Sequence, residues 1–215
     1  MAKIIPVILT DSEEEYHKRL LLAEHVSDLI QIDIVDGNFA KNKTVGLDVV
    51  KKYPSSSFLE IDLLVEYPQN YIDELMFTEH VSRIIVPFEC AGGLPEAIYH
   101  VKNHGKQVGI SLNPNTPVGA VIHFFDEIDF LRLLAVNPGF SGQKFQEVTY
   151  DKIKQARNIL KELPIAIDGG INVDNIAKLS NAGADYLAVN SALFKAEDFM
   201  TAFEKLAKLA EVPKN

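Results

Sequence analysis

Ala166-Ile167-Asp168-Gly169-Gly170-Ile171-Asn172 runs from an apolar strand through a carboxylate into a glycine pair. Upstream, Val148–Leu160 sets Ile153, Ala156, Ile159 and Leu160 on one stripe of an amphipathic helix. Downstream, Tyr186–Val189 is a second short apolar run. Strands this apolar lack the alternation of half-exposed ones, so they read as buried parallel strands. A strand, a helix and a second parallel strand make a unit with a right-handed crossover.

The same unit recurs in both directions. Apolar runs rich in Ile, Val and Leu predict further strands at Ile4–Leu9, Leu29–Val35, Phe58–Leu64, Arg83–Val86, Gln107–Leu112 and Phe130–Val136. Glu13–His25 and Ala202–Ala210 read as further amphipathic helices, the second burying Phe203, Leu206 and Leu209. Eight βα units in 215 residues predict one α/β domain over residues 1–215, a closed (β/α)8 TIM barrel. An open doubly wound sheet is the competing architecture. The polar tail Glu211–Asn215 is expected to fray.

Composition narrows the function. Hydrophobic residues make up 47% and charged residues 24%, enough apolar matter for a sizeable core. A net charge of -9 argues against nucleic acid as a partner. It leaves room for a local phosphate site built from backbone N–H groups. A single cysteine, Cys90, excludes an internal disulfide and fits a cytoplasmic location. The segment Met1–Pro6 lacks the apolar run of a secretory signal, and no apolar stretch reaches about 18 residues, so no membrane span is expected.

Ligands of α/β folds sit where strands end and loops begin. Asp33, Asp62 and Asp168 lie near such ends, inside apolar strands that do not bury lone charges cheaply. Each could instead cap a helix or pair with a lysine; three at one barrel mouth weaken that reading for Asp33 and Asp168, less so for Asp62. Asp36, before Gly37, reads as a turn residue. None of the six histidines falls at a predicted strand end, and each reads as a surface or helix residue. Gly139, Gly142, Gly169 and Gly170 allow backbone N–H groups to approach an anion closely, and Ser191 could add a hydroxyl or open a short helix.

Four segments carry a family resemblance: Asp33-Ile34-Val35-Asp36-Gly37-Asn38-Phe39, Leu112-Asn113-Pro114-Asn115-Thr116-Pro117, Val136-Asn137-Pro138-Gly139-Phe140-Ser141-Gly142-Gln143 and Asp168-Gly169-Gly170-Ile171-Asn172. In order and placement they resemble the ribulose-phosphate 3-epimerase family, from about Ile4 to Phe194. The resemblance implies a ribulose-phosphate-binding type of barrel, a homo-oligomer that inverts the carbon beside the ketone of a phosphorylated ketose. It puts catalytic aspartates at Asp33 and Asp168. It puts phosphate and substrate binding at Gly139, Phe140, Ser141, Gly142, Gly169, Gly170, Asn190 and Ser191.

The departures sit around the metal of the metal-dependent members. Two family histidines are replaced, by Gln31 and Asp62. A substrate-contacting serine becomes Val7, pocket methionines become Val35, Leu64 and Leu134, and the glycine after the eighth strand becomes Asn190. The implied ligand set is Gln31, Asp33, Asp62 and Asp168, all oxygen, suited to a magnesium- or manganese-type ion or to none. Without a cation, converging carboxylates repel, and one should keep its proton. The expected activity is therefore epimerase-like isomerisation. The alternatives are a related phosphosugar enzyme with a changed mechanism and an inactive phosphosugar-binding protein.

Overall fold

In the computed structural model, which describes residues 2–211, eight parallel strands close into a barrel in strict sequence order. They are β1 (Lys3–Ile8), β2 (Leu29–Val35), β3 (Phe58–Leu64), β4 (Val81–Pro87), β5 (Gln107–Leu112), β6 (Phe130–Leu134), β7 (Ile165–Asp168) and β8 (Tyr186–Val189). The first helices are α1 (Glu13–Glu24), α2 (Leu47–Lys52), α3 (Gln69–Met76) and α4 (Leu94–Asn103). After β6 come α5 (Val148–Leu160), α6 (Ile176–Ala182), α7 (Ser191–Phe194) and α8 (Phe199–Ala210). A 3₁₀ segment, Val118–Phe124, takes the helix's place between β5 and β6. The open doubly wound sheet is thereby excluded.

The predicted strands at 29–35, 58–64, 107–112, 165–168 and 186–189 keep their bounds. The predicted sixth strand is two residues too long: the carbonyl of Ala135 accepts from Gln146 N–H at 2.9 Å, so the loop folds back where the apolar run continues. The predicted last helix starts three residues too late, because Asp198 caps it, its side chain accepting from the Thr201 N–H. The tail beyond Glu211 lies outside the described residues.

Alternate residues of each strand face opposite ways. In β6, Leu131 and Leu133 pack outward into the large apolar layer beneath the helices. Phe130 faces inward and packs with Ile85 and Ala166. The inward face of the barrel is unusually polar: Gln31, Asp33, Glu60, Asp62, Arg83, Ser111 and Arg132 are all buried. Register layers them, pairing Asp33 with Asp62, Ser111 with Arg132 and Leu134 with Asp168 across neighbouring strands.

Candidate active site

The cleft at the C-terminal mouth is made by strand ends and the loops after them. Val7, Asp33, Leu64, Leu134, Asp168 and Ala188 form its floor. The loop residues Gly139–Gln143, Gly169, Gly170, Asn190 and Ser191 form its rim, and the space between these atoms is about 550 Å³, open mouth included. All eight residues expected to bind phosphate or substrate thus surround one opening, together with both expected catalytic aspartates.

Backbone geometry explains the glycine pair. Gly169 and Gly170 both have positive φ, 110° and 66°. A Cβ on Gly170 would stand 2.6 Å from the Phe145 backbone nitrogen, so any side chain would push two loops apart. Its carbonyl accepts from the side-chain amides of Asn172 and Asn175 at 3.2 and 2.9 Å, which fixes the turn. The loop after β6 is fastened at Gly139, whose carbonyl accepts from Asn42 Nδ2 at 2.6 Å, and by Gln143, which donates to the carbonyls of Asn137 and Phe140. Asn190 donates to the Val7 carbonyl at 2.8 Å, tying the β8 end to β1. The short helix α7 follows at Ser191, the place where barrels commonly seat a phosphate.

Beneath the rim, Asp33, Asp62 and Asp168 offer carboxylate oxygens within 4.8 Å of one another, a group that could hold a metal ion. The residues around them are engaged otherwise. Gln31 Nε2 donates to Asp33 Oδ1 at 2.6 Å and reaches Asp168 Oδ2 at 3.4 Å. The amide presents its N–H₂ because an oxygen there would face two carboxylates. Arg132, wholly buried on β6, sets Nη1 2.5 Å from Asp62 Oδ2 and Nη2 against Asp168 Oδ2. Asp62 is fully buried, whereas the Asp168 side chain keeps 15% exposure. The expected ligands Gln31 and Asp62 therefore lie below the cleft rather than at its surface.

The electrostatics follow from burial. Burial, then the neighbouring Asp62 charge, raises the Asp33 pKa to about 7, with Arg132 and the Gln31 hydrogen bond pulling the other way. Asp62 is pushed up by burial against the pull of Arg132. Asp36 is the turn residue expected: its Oδ1 accepts from the N–H groups of Asn38 and Phe39.

Sequence reading missed four residues here. Arg132 had a visible signal, an arginine inside the apolar run Phe130–Leu134. Glu60 and Arg83 form a second internal ion pair, Nε to Oε2 at 3.0 Å, on strands read only as apolar. Lys195 just after α7 gave no such signal; a Cβ on Gly142 would lie 3.5 Å from its Nζ, which puts an ammonium beside the glycine rim.

Comparison with known proteins gives the chain's family. The family described as "Ribulose-phosphate 3 epimerase family" matches residues 3–194. A ribulose-phosphate 3-epimerase from Bacillus subtilis is 35% identical over 188 residues, covering 84% of this chain and 86% of the relative. One from Escherichia coli K12 is 30% identical over 206 residues, covering 86% of each. Among solved structures, 3-hexulose-6-phosphate synthase from Salmonella typhimurium superposes with a TM-score of 0.71 at 19% identity, covering 97% of this chain and 98% of that one. Tryptophan synthase from Mycobacterium tuberculosis does so at 0.72 with 13% identity, covering 99% and 93%. These two similarities speak for the barrel alone.

Proposed function

The chain belongs to the ribulose-phosphate 3-epimerase family, and from that premise we propose that it inverts the carbon beside the ketone of a phosphorylated ketose by proton transfer between Asp33 and Asp168. One observation carries the reading: the two aspartates come from β2 and β7 and line the same cleft as the glycine rim. A substrate whose phosphate sits at Gly139–Gly142, Gly169, Gly170 and Ser191 would lay its carbon chain across both carboxyl groups.

The roles differ because the surroundings differ. Asp33, with its pKa raised to about 7, can carry a proton at neutral pH and serves as the acid. Asp168, ion-paired with Arg132, serves as the base. It takes the proton from the carbon next to the ketone, and the C–H electron pair moves into an enediolate. Asp33 then returns a proton to the opposite face, and the two roles exchange in the reverse direction. Buried apolar walls, Val7, Leu64 and Leu134, keep water from the intermediate.

A magnesium- or manganese-type ion would take its ligands from Gln31, Asp33, Asp62 and Asp168 and would polarise the ketone. The residues present do not fit it. Asp62 and Asp168 face a fixed guanidinium, and Gln31 turns its N–H₂, not its oxygen, toward the carboxylates. The steps above therefore use the chain's own groups alone.

Proton exchange into ribulose 5-phosphate in deuterated water, followed by NMR, tests the reading. Wild type is expected to exchange the C3 proton. Tight binding of the sugar phosphate with no exchange above background would mark an inactive binding protein instead; exchange with a different ketose phosphate would mark a related phosphosugar enzyme.

A further inference from the structure

We propose that the guanidinium of Arg132 is a built-in cation that occupies the carboxylates a divalent metal would need in this barrel, so that the site works without a metal and excludes it. The exclusion of metal stands on geometry alone; the part Arg132 plays in catalysis rests on the epimerase reading above.

Arg132 has no surface exposure and stands in β6 between Leu131 and Leu133, both buried in the apolar layer outside the barrel. A charge in such a place survives only if it is paired, and this one is paired twice, to Asp62 and to Asp168. Those are two of the three carboxylates whose oxygens converge closely enough for a metal. A divalent ion held by the same oxygens would sit next to a positive charge already fixed against both of them. The ion would also have to displace a planar fork that meets two carboxylates at once.

The charge count agrees. Four carboxylates face the barrel interior, Asp33, Glu60, Asp62 and Asp168, against two guanidiniums, Arg83 and Arg132, which leaves 4 − 2 = 2 formal negative charges before protonation. Without Arg132 the excess would be three, all on its own side of the interior, because Arg83 is occupied by Glu60.

Arg132 does not reach the cleft, so it is a positioning residue. It holds Asp168 Oδ2, the same oxygen approached by Gln31 Nε2, while Asp168 keeps part of its surface open to the cleft. The carboxylate is thereby fixed in orientation and supplied with a counter-charge whatever ions are in solution.

The test is metal uptake and chelator sensitivity. Protein stripped with EDTA and then incubated with manganese is passed through a desalting column, and bound metal is counted. Wild type is expected to retain less than about a tenth of an equivalent, and Arg132→Met about one equivalent, as the freed carboxylates find a new cation. Should Arg132→Met fail to fold, Arg132→Met with Asp62→His returns the formal excess to the wild-type two and serves the same comparison. Exchange by wild type is expected to be unchanged in EDTA. Arg132→Lys, which keeps the charge but loses the fork, should stay metal-free and lose roughly 10–100-fold in kcat with KM little changed.

One equivalent of manganese on wild type, or exchange lost in EDTA and restored by manganese, overturns the proposal, as does a folded Arg132→Met that binds no metal. If the metal results are as expected but no ketose phosphate is exchanged, the epimerase reading fails and the built-in cation stands.

Discussion

Two guanidiniums are sealed inside this barrel, and their neighbourhoods contrast. Arg83, on β4, pairs with Glu60 and lies over the rings of Phe130 and Tyr186, 3.9 and 4.6 Å from their centroids. Gly109 makes that stack possible, for a Cβ there would come within 2.4 Å of the Phe130 ring. Arg132, nearer the mouth, has carboxylates as partners, and one of them, Asp168, lines the cleft. The lower pair is flanked by aromatic rings and has no part in the cleft at the mouth. The upper cluster is sealed on one side and open on the other. A buried ion pair is weak evidence for stability by itself; what separates scaffold from chemistry here is whether one partner also faces the opening.

The contrast breaks most visibly at Asp168. Asp168→Asn removes the open partner's charge and should lower proton exchange by about 10³-fold or more, at the upper part of what a positioned acid or base contributes. Its affinity for inorganic phosphate, read by calorimetry, should change by less than about threefold, because the glycine rim is untouched. Exchange at the wild-type rate would remove Asp168 from the chemistry.

At the lower pair the expectation reverses. Arg83→Met should cost about 3–5 kcal/mol in denaturant unfolding by stranding Glu60, yet leave the exchange rate of the folded fraction near wild type. Adding Glu60→Gln should recover most of that loss. A large fall in kcat for Arg83→Met with little change in stability would erase the distinction between the two guanidiniums.

A smaller effect is expected at the rim. Gly170→Ala forces a Cβ against the Phe145 backbone at a positive φ, for a loss of about 1–3 kcal/mol in stability and weaker phosphate binding, with Asp33 and Asp168 unmoved.

The finest test is pH. Asp33 must be protonated to act as the acid, so kcat/KM should fall above pH about 7. Stability has its own sign. The folded pKa of Asp33 lies above its ordinary value of 3.8, so the native state binds more protons than the unfolded chain between the two. Its contribution is full below about 4 and is lost as pH rises to about 7. Asp33→Asn should flatten that part of the thermal-stability profile while abolishing exchange; a profile no flatter than wild type would place the titration on other groups.

Much of this was legible in the chain. Apolar runs at regular spacing announce a parallel barrel because strands buried on both faces have no polar alternation to confuse them. The glycine loops and Asp33 and Asp168 announced the cleft because barrels place ligands at strand C-termini. Errors at strand and helix ends came from local bonds, the Gln146–Ala135 contact and the Asp198 cap, that hydrophobic pattern does not encode.

The residues Asp33, Asp62, Asp168 and Arg132 are distant in the sequence, and nothing in their spacing says that they meet. Their types and strand positions were fixed by the chain: three acids and a base among Ile, Val and Leu, each at a position that alternation could send inward or outward. Only closure of the barrel, with the stagger of its register, decided that all four turn inward and that the guanidinium lands between the carboxylates. Sequence alone could count the charges; it took the enclosed, water-poor interior of the folded barrel to determine which charge answers which.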